Sequence, residues 1–243
     1  MTGPSIPDAI RAERMDAASL TSRVLAHEIA NYLGPLRTYV YLLRQEMGAD
    51  PKATEDLEAV SRTVESAAQL VAALRGFAQA PTLGAGPADL GAALRDAEPA
   101  LRALLPPGRR LELAPAAEPL AVGADPARLV QLIVDLVGLA NRALPVGSRI
   151  DVTTARVAGG AGGAPVALLT VRDDGPGLEA DRAARIFEPF VFDLAHDYGL
   201  RLPTLYNTVT RSGAHIAAES AAGAGTAIRI SFPLAPAGKA GGR

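Results

Sequence analysis

Two short stretches of this sequence put chemically competent side chains at telling distances. In the run from Val24 to Leu36, His27 and Glu28 stand side by side, with Asn31 one helical turn further on. An imidazole whose Nδ1 proton is held by a carboxylate presents Nε2 as a free lone pair, and a phosphorus atom is an electrophile that such a nitrogen can attack. A histidine and a glutamate on a solvated helix face are the commoner case, so the pair gains meaning only if a phosphate donor is handled elsewhere in the chain. The second stretch, Asp173-Asp-Gly-Pro-Gly177, follows a run of strand-forming residues. Gly175 and Gly177 would let backbone come close to a ligand, and the Asp173 carboxylate can accept a hydrogen bond from an amino group such as that of adenine. Taken alone, such a turn is more often a plain tight loop than a ligand site.

The elements that position these residues follow from periodicity. From Ile29 the apolar residues recur as Ile29, Leu33, Leu36, Val40, Leu43 and Met47. Steps of four and three mark the seam of a packed amphipathic helix. His27 is turned by roughly 200° from Ile29 at about 100° per residue, so its imidazole should project to solvent or toward a partner. Gly48 and Pro51 end this helix and start another, expected from about Pro51 to Gln79 with Leu57, Val60, Val64, Ala67, Val71, Leu74 and Ala78 as its seam. Two helices of about 28 residues, each roughly 42 Å long, cannot bury both seams alone. Two chains pairing into a four-helix bundle would.

Composition narrows the options. The chain of 243 residues is 49% hydrophobic, enough for one large or two small cores. Its 24 basic and 26 acidic residues leave a net charge of -2, which gives no footprint for nucleic acid or anionic membrane. The absence of cysteine excludes disulfides, thiolate metal sites and cysteine nucleophiles. No apolar run suits a secretory leader or a membrane span, so a cytoplasmic location is expected. With so little chain before His27, a stimulus would have to come from a separate sensor protein or from the short segment 1–19.

Pro81, Gly84, Gly86 and Pro87 form a linker, after which the texture changes to short strands mixed with helices. Helices are expected at Asp89–Leu104, from Asp125-Pro126 to about Leu144, and at Leu200–Ser212. Strands are expected at Arg109–Ala114, Leu120–Val122, Ser148–Ala158, Pro165–Arg172, Ala214–Ser220 and Thr226–Pro233, the third and fourth forming a hairpin across Gly159–Gly163. The reading is therefore α+β. Segment 1–19 is an N-terminal extension, 20–84 a helical dimerisation domain, 85–235 an α/β sandwich, and the last residues, 236–243, a disordered tail.

His27-Glu28-Ile29-Ala30-Asn31 resembles the H-box of sensor histidine kinases, His-Glu-x-x-Asn. The downstream motifs resemble, in the family's order, its ATP-binding domain, a sandwich shared with type II topoisomerases and Hsp90. Asp173, Gly175 and Gly177 match the G1 box, Phe187 to Phe190 the F box, and Gly223, Gly225 and Thr226 the final Gly-x-Gly-Thr turn. The resemblance runs from about Leu20 to Leu234. It implies that His27 is the phosphoacceptor, that Glu28 assists it, and that Asn31 can orient water for dephosphorylating a partner. Asp173, Gly175, Gly177, Gly199, Arg201 and Thr226 would bind ATP. A homodimer that passes phosphoryl groups to an aspartate on a response-regulator receiver domain follows from the same resemblance.

The departures from the family are as specific as the matches. Tyr32 stands where many relatives have proline. The N box, usually Asn-x-x-x-Asn-Ala, reads Asp135-Leu-Val-Gly-Leu139-Ala140, and Leu139 offers no oxygen to a hard cation. Asp135 is the one remaining candidate for Mg2+. The lid run reads Asp197-Tyr-Gly-Leu-Arg-Leu202, which keeps Gly199 and loses two glycines. ATP and Mg2+ are accordingly expected to bind weakly or not at all. The alternative function is an ATP-independent phosphotransferase or pseudokinase that relays phosphoryl groups between receiver domains. His196 and His215 are read as surface or satisfied polar residues.

Overall fold

The computed structural model describes residues 6–46, 51–159, 163–191 and 199–235. Two long helices, α1 (Ile6–Glu46) and α2 (Pro51–Ala78), form an antiparallel hairpin. Helix α1 begins well before Leu20, so most of segment 1–19 is continuous with it rather than a separate extension. It also runs unbroken through Pro35, whose missing N–H leaves the Asn31 carbonyl without its helical donor. Exposed ion pairs Arg37–Glu65 (3.8 Å) and Arg44–Glu58 (3.7 Å) set the register of the two helices. At such exposure they mark alignment more than stability.

The seam of α1 is not the one its apolar periodicity suggests. The buried line runs through Met15, Ser22 and Ala26, with Ala30 and Leu33 partly covered beside it. Ile29, Leu36 and Leu43 instead join Leu25, Tyr32 and Tyr39 in a second stripe, each between 39% and 73% exposed. The expected seam straddled two faces roughly 80° apart at about 100° per residue, because large apolar side chains outweighed the alanines and serine that let α2 come close. Met47 lies outside the described residues. In α2 the expected seam holds where Val64, Val71 and Leu74 are buried, whereas Val60 is exposed.

Residues 80–86 lead into the α/β domain. Strand β1 (Pro87–Asp89) pairs antiparallel with β3 (Ala121–Gly123), bracketing α3 (Leu90–Leu104) and β2 (Arg110–Ala114). Then come α4 (Pro126–Ala143), β4 (Arg149–Val157), β5 (Val166–Asp173), the short α5 (Ala180–Ala184), α6 (Arg201–Arg211), β6 (His215–Ser220) and β7 (Thr226–Pro233). The main sheet has the order β2-β4-β5-β7-β6, with β2 and β4 parallel and every other pair antiparallel. Asp89 caps α3 by accepting from the Ala92 N–H, and Asp125 caps α4 by accepting from Arg128, with Pro126 in the first turn.

The period-2 rule accounts for the sheet's two faces. Ile150, Val152, Leu169, Val171, Ile230 and Phe232 point into the core beneath the helices. Glu112, Asp151, Arg172 and Arg229 alternate onto the opposite, wet face. From α2 onward the expected elements are present within a residue or two at their ends. Strand β1 and helix α5 had no forecast, being three and five residues long. The expected disordered tail falls on residues 236–243, outside the described residues.

Helix α6 joins domain to hairpin. Phe77 of α2 is fully buried in the core that Leu205 and Val209 also line, and Asn207 reaches both hairpin helices.

Candidate functional site

Helix α4 carries Asp135 and Leu139 one turn apart, and Leu139 forms a wall common to two cavities. The first cavity, about 320 Å³, lies between α4, the end of β5 and the start of β7. Leu139, Ala140, Ile186, Leu202 and Ile228 supply apolar walls, and Asp173 and Thr226 supply polar groups. A mostly apolar cavity with a single carboxylate suits a purine that presents an amino group.

The Asp173 carboxylate is anchored before any ligand arrives. Its Oδ1 accepts from the Gly175 N–H at 2.9 Å and the Thr226 N–H at 3.2 Å. Burial pushes its pKa above the ordinary carboxylate value; the hydrogen bonds from Gly175 and Thr226 oppose this, the neighbouring Asp174 adds to it, and Arg172 lowers it. Asp174 points elsewhere, accepting from the Arg149 N–H at 2.7 Å. The side chain of Thr226 bonds to Ser220 Oγ at 2.8 Å, so only its backbone serves Asp173.

The glycines of the two turns hold loop against loop. A Cβ on Gly177 would run into the Ala221 carbonyl, and one on Gly225 into the carbonyl of Asp173. Both residues also have positive φ, 66° and 76°. A Cβ on Gly175 would strike Leu144 and press on Asp173 Oδ1. These contacts give Gly175, Gly177 and Gly225 a packing role that fixes the Asp173 carboxylate.

The second cavity, about 410 Å³, lies between α2, α4 and α6. Ala73 and Gly76 line it from the hairpin, Asp135 and Leu139 from α4, and Leu200, Arg201 and Thr204 from the start of α6. Asp135 Oδ1 accepts from Gln131 Nε2 at 2.8 Å. Leu139 is 4% exposed, and among the described residues no three acidic or histidine groups gather as a metal centre. Asp135 is the one carboxylate lining this cavity, so a Mg2+ ion there would rest on that side chain, on water and on the phosphates of a nucleotide. Gly199 takes positive φ, 67°, and its carbonyl accepts from the Phe190 N–H at 3.3 Å, linking the F box to the start of α6. The lid segment, with His196 and Asp197, lies outside the described residues.

His27, Glu28 and Asn31 are exposed on α1, and neither cavity contains them. Among the described residues no hydrogen bond joins His27 to Glu28, because adjacent helix positions are turned about 100° apart and do not face each other. The expected clasp on Nδ1 is therefore not formed in this arrangement. Extending the register set by the interhelical ion pairs brings His27 level with Arg75 and Gly76, and Gly76 lines the second cavity. His215 is exposed on β6 and lines neither cavity. Arg182 of α5 was not anticipated and lines the first cavity. Its motif-free position on a helix of five residues gave no signal in the sequence.

Residues 124–236 match the family described as histidine kinase-, DNA gyrase B- and HSP90-like ATPase. The chain is 44% identical over 68 residues to the sensory histidine kinase/phosphatase NtrB of Rhodobacter capsulatus, a stretch that covers 28% of this chain and 19% of that protein. Among solved structures, the mycobacterial sensor histidine kinase MprB aligns with a TM-score of 0.52 and 23% identity, covering 63% of this chain and 99% of that one. Full-length ShkA in complex with AMPPNP aligns with a TM-score of 0.59 and 21% identity, over 89% of this chain and 46% of that one. The chain therefore spans under a fifth of the curated relative and under half of ShkA.

Proposed function

We propose, from the premise that this chain carries a histidine-kinase core with an ATP-binding domain, that it works in two-component signalling by passing phosphoryl groups through His27. Residues 20–84 act as the dimerisation and phosphotransfer unit and residues 85–235 as the nucleotide-binding unit. The observation that carries this reading is the pairing of a solvent-exposed helical histidine with a purine-sized cavity that holds one pre-anchored carboxylate in the next domain.

Asp173 accepts the purine amino group, and the apolar walls around it exclude water from the base. His27 Nε2 attacks the γ-phosphorus of ATP; the new N–P bond forms as the bond to the ADP oxygen breaks. Catalysis of such a transfer rests on placing the reacting atoms about 3–3.5 Å apart and neutralising charge. Glu28 serves as an orienting or proton-accepting group once its side chain turns toward the ring, and Asn31 orients water when the flow reverses. An aspartate on a receiver domain then takes the phosphoryl group. Arg201 sits on the second cavity and is the cation nearest the expected phosphate path among its lining residues.

A second copy of the chain is the partner best suited to the exposed stripe from Leu25 to Leu43, since steps of four and three fit a helix seam and isolated proteins rarely leave such a patch open. Light scattering should find a dimer, and a monodisperse monomer at tens of micromolar would refute it. No helix among the described residues is long and apolar enough to cross a membrane, and we place the protein in the cytoplasm.

The test of the function is labelling with ATP carrying a γ-phosphorus label. Acid-labile phosphate should appear on His27, disappear in His27→Gln, and pass to a receiver domain. Label persisting in His27→Gln would overturn the assignment. Phosphate acquired from a phosphorylated receiver, with none from ATP, would favour the relay instead.

A further inference from the structure

The loop that leaves α4 is gripped by one guanidinium. Arg109, half-buried just ahead of β2, donates from Nε to Asn141 Oδ1 at 2.9 Å, from Nη2 to the Leu144 carbonyl at 3.0 Å and from Nη1 to the Pro145 carbonyl. A cation suits the carbonyl end of a helix, yet capping alone asks for less than this. A lysine or a water would satisfy such carbonyls one at a time, whereas a planar fork fixes the directions of several acceptors together. The segment held in this way reaches the Asp173 turn by two routes. The Leu144 side chain packs on Gly175 so closely that a Cβ there would collide with it, and Leu144 is itself a wall of the first cavity. Ser148, whose Oγ donates to the same Pro145 carbonyl at 3.0 Å, carries the grip on to Arg149. There the Arg149 N–H donates to Asp174 Oδ1 at 2.7 Å, and the Asp174 N–H donates back to the Arg149 carbonyl at 3.3 Å. Gly175, the next residue, supplies one of the two N–H groups that hold Asp173 Oδ1.

We propose that Arg109 is a positioning residue for the purine cavity: by fixing the exit of α4 it holds Leu144 against Gly175 and Arg149 against Asp174, and so keeps the Asp173 carboxylate set for the base. Arg109 lines neither cavity and acts only through these neighbours. Close-packed contacts transmit such a constraint because they have few alternative arrangements. Without the fork, Leu144 is free to withdraw from Gly175, which loosens the turn and removes part of the base wall. This inference rests on the reading of the first cavity as the purine site, and it concerns the base that ADP and ATP share.

The turn and the ligand can be read separately. In Arg109→Ala the amide resonances of Gly175 and Thr226 should shift and their N–H groups should exchange faster with deuterium, as followed by NMR on the isotope-labelled chain. Affinity for ADP and for ATP, measured by competition against a fluorescent nucleotide at a temperature where the variant is folded, should fall by the same factor. That factor is about five, what one neutral hydrogen bond of about 1 kcal/mol represents. Arg109→Lys should recover part of the loss, since one ammonium cannot serve the whole set of acceptors. Asn141→Ala removes only the Nε partner and keeps a good helix former, so it should move the same readouts by less and carries the test if Arg109→Ala does not fold. Arg110→Ala, the same loss of charge at an exposed neighbour, should change neither readout. Unmoved Gly175 and Thr226 amides in the Arg109 and Asn141 variants would overturn the positioning role, even with a lower melting temperature, as a merely structural contact would give. So would perturbed amides with unchanged ADP affinity in a parent that binds ADP, or a loss confined to ATP. If the parent binds neither nucleotide while the amides respond to Arg109→Ala, the coupling to the Asp173 turn stands and the purine reading fails.

Discussion

On one side of Leu139 a cavity of about 320 Å³ ends at a carboxylate held by two backbone N–H groups, with apolar residues from α4, β7 and α6 around it. On the other side a larger cavity of about 410 Å³ carries one carboxylate, Asp135, bonded to Gln131, facing Arg201 and the hairpin. The first is organised before its ligand arrives. The second has charges of both signs and no cluster of oxygens among the described residues. Preorganisation is therefore concentrated in the cavity proposed for the base, and the part of the proposed site that would manage phosphate charge is left to a cation and a single acid. Binding and turnover should respond to different residues as a result.

The strongest break in this contrast should come from Asp173. Asp173→Ala removes a charged acceptor and frees two N–H groups, and purine nucleotide affinity should fall about 10- to 150-fold, the range spanned by about 1.5–3 kcal/mol for a hydrogen bond to a charged group. Titration with a fluorescent nucleotide reads this directly. A loss under twofold would mean that the base is not bound there.

The same carboxylate predicts opposite pH responses of binding and stability. Its folded-state pKa is raised by burial, so it stabilises the unliganded protein fully below the ordinary carboxylate value, and this contribution is lost as pH rises through the raised value. Purine binding needs the ionised acceptor and should weaken on acidification, starting above the ordinary carboxylate range. Asp173→Asn keeps an oxygen for Gly175 and Thr226 while removing the charge. It should raise the melting temperature near neutral pH, gain nothing in acid, and abolish the pH dependence of binding. Lower stability of this variant at neutral pH would show that ionised Asp173 stabilises the fold.

A smaller change should sharpen the second half of the site. Leu139→Asn together with Asp135→Asn supplies amide oxygens to the second cavity, and ATP binding should become a few-fold tighter with Mg2+ than without it. Thermal stability should fall, because Leu139 is a buried wall of both cavities. Magnesium insensitivity retained in the double variant would place the cause elsewhere.

The sequence reveals more of the base half than of its surroundings. Asp125-Pro126 announces α4 because a cap and a first-turn proline are local signals, and the β4–β5 hairpin is announced by two valine- and threonine-rich runs around a glycine tract. Asp173 is legible for the same reason. What Gly175, Gly177 and Gly225 touch is not, since Leu144, Ala221 and the Asp173 carbonyl reach them only through the fold. Strand β1 depends on pairing with β3 beyond an intervening helix, a contact that local pattern does not encode. On α1, counting large apolar residues merges two stripes, and the small Ala26 and Ser22 that set the real seam carry little weight in such a count. The second cavity and the Asn207 contact need the hairpin seated on α6, which composition and periodicity do not specify.

Calorimetry of the 243-residue chain with ATP and ADP, each with and without Mg2+, bears most directly on the unequal halves of the site. The account predicts weak binding, similar affinity for the two nucleotides and little response to magnesium, with slow labelling of His27. Tight, magnesium-dependent ATP binding that clearly exceeds ADP binding, together with rapid labelling of His27, would contradict it.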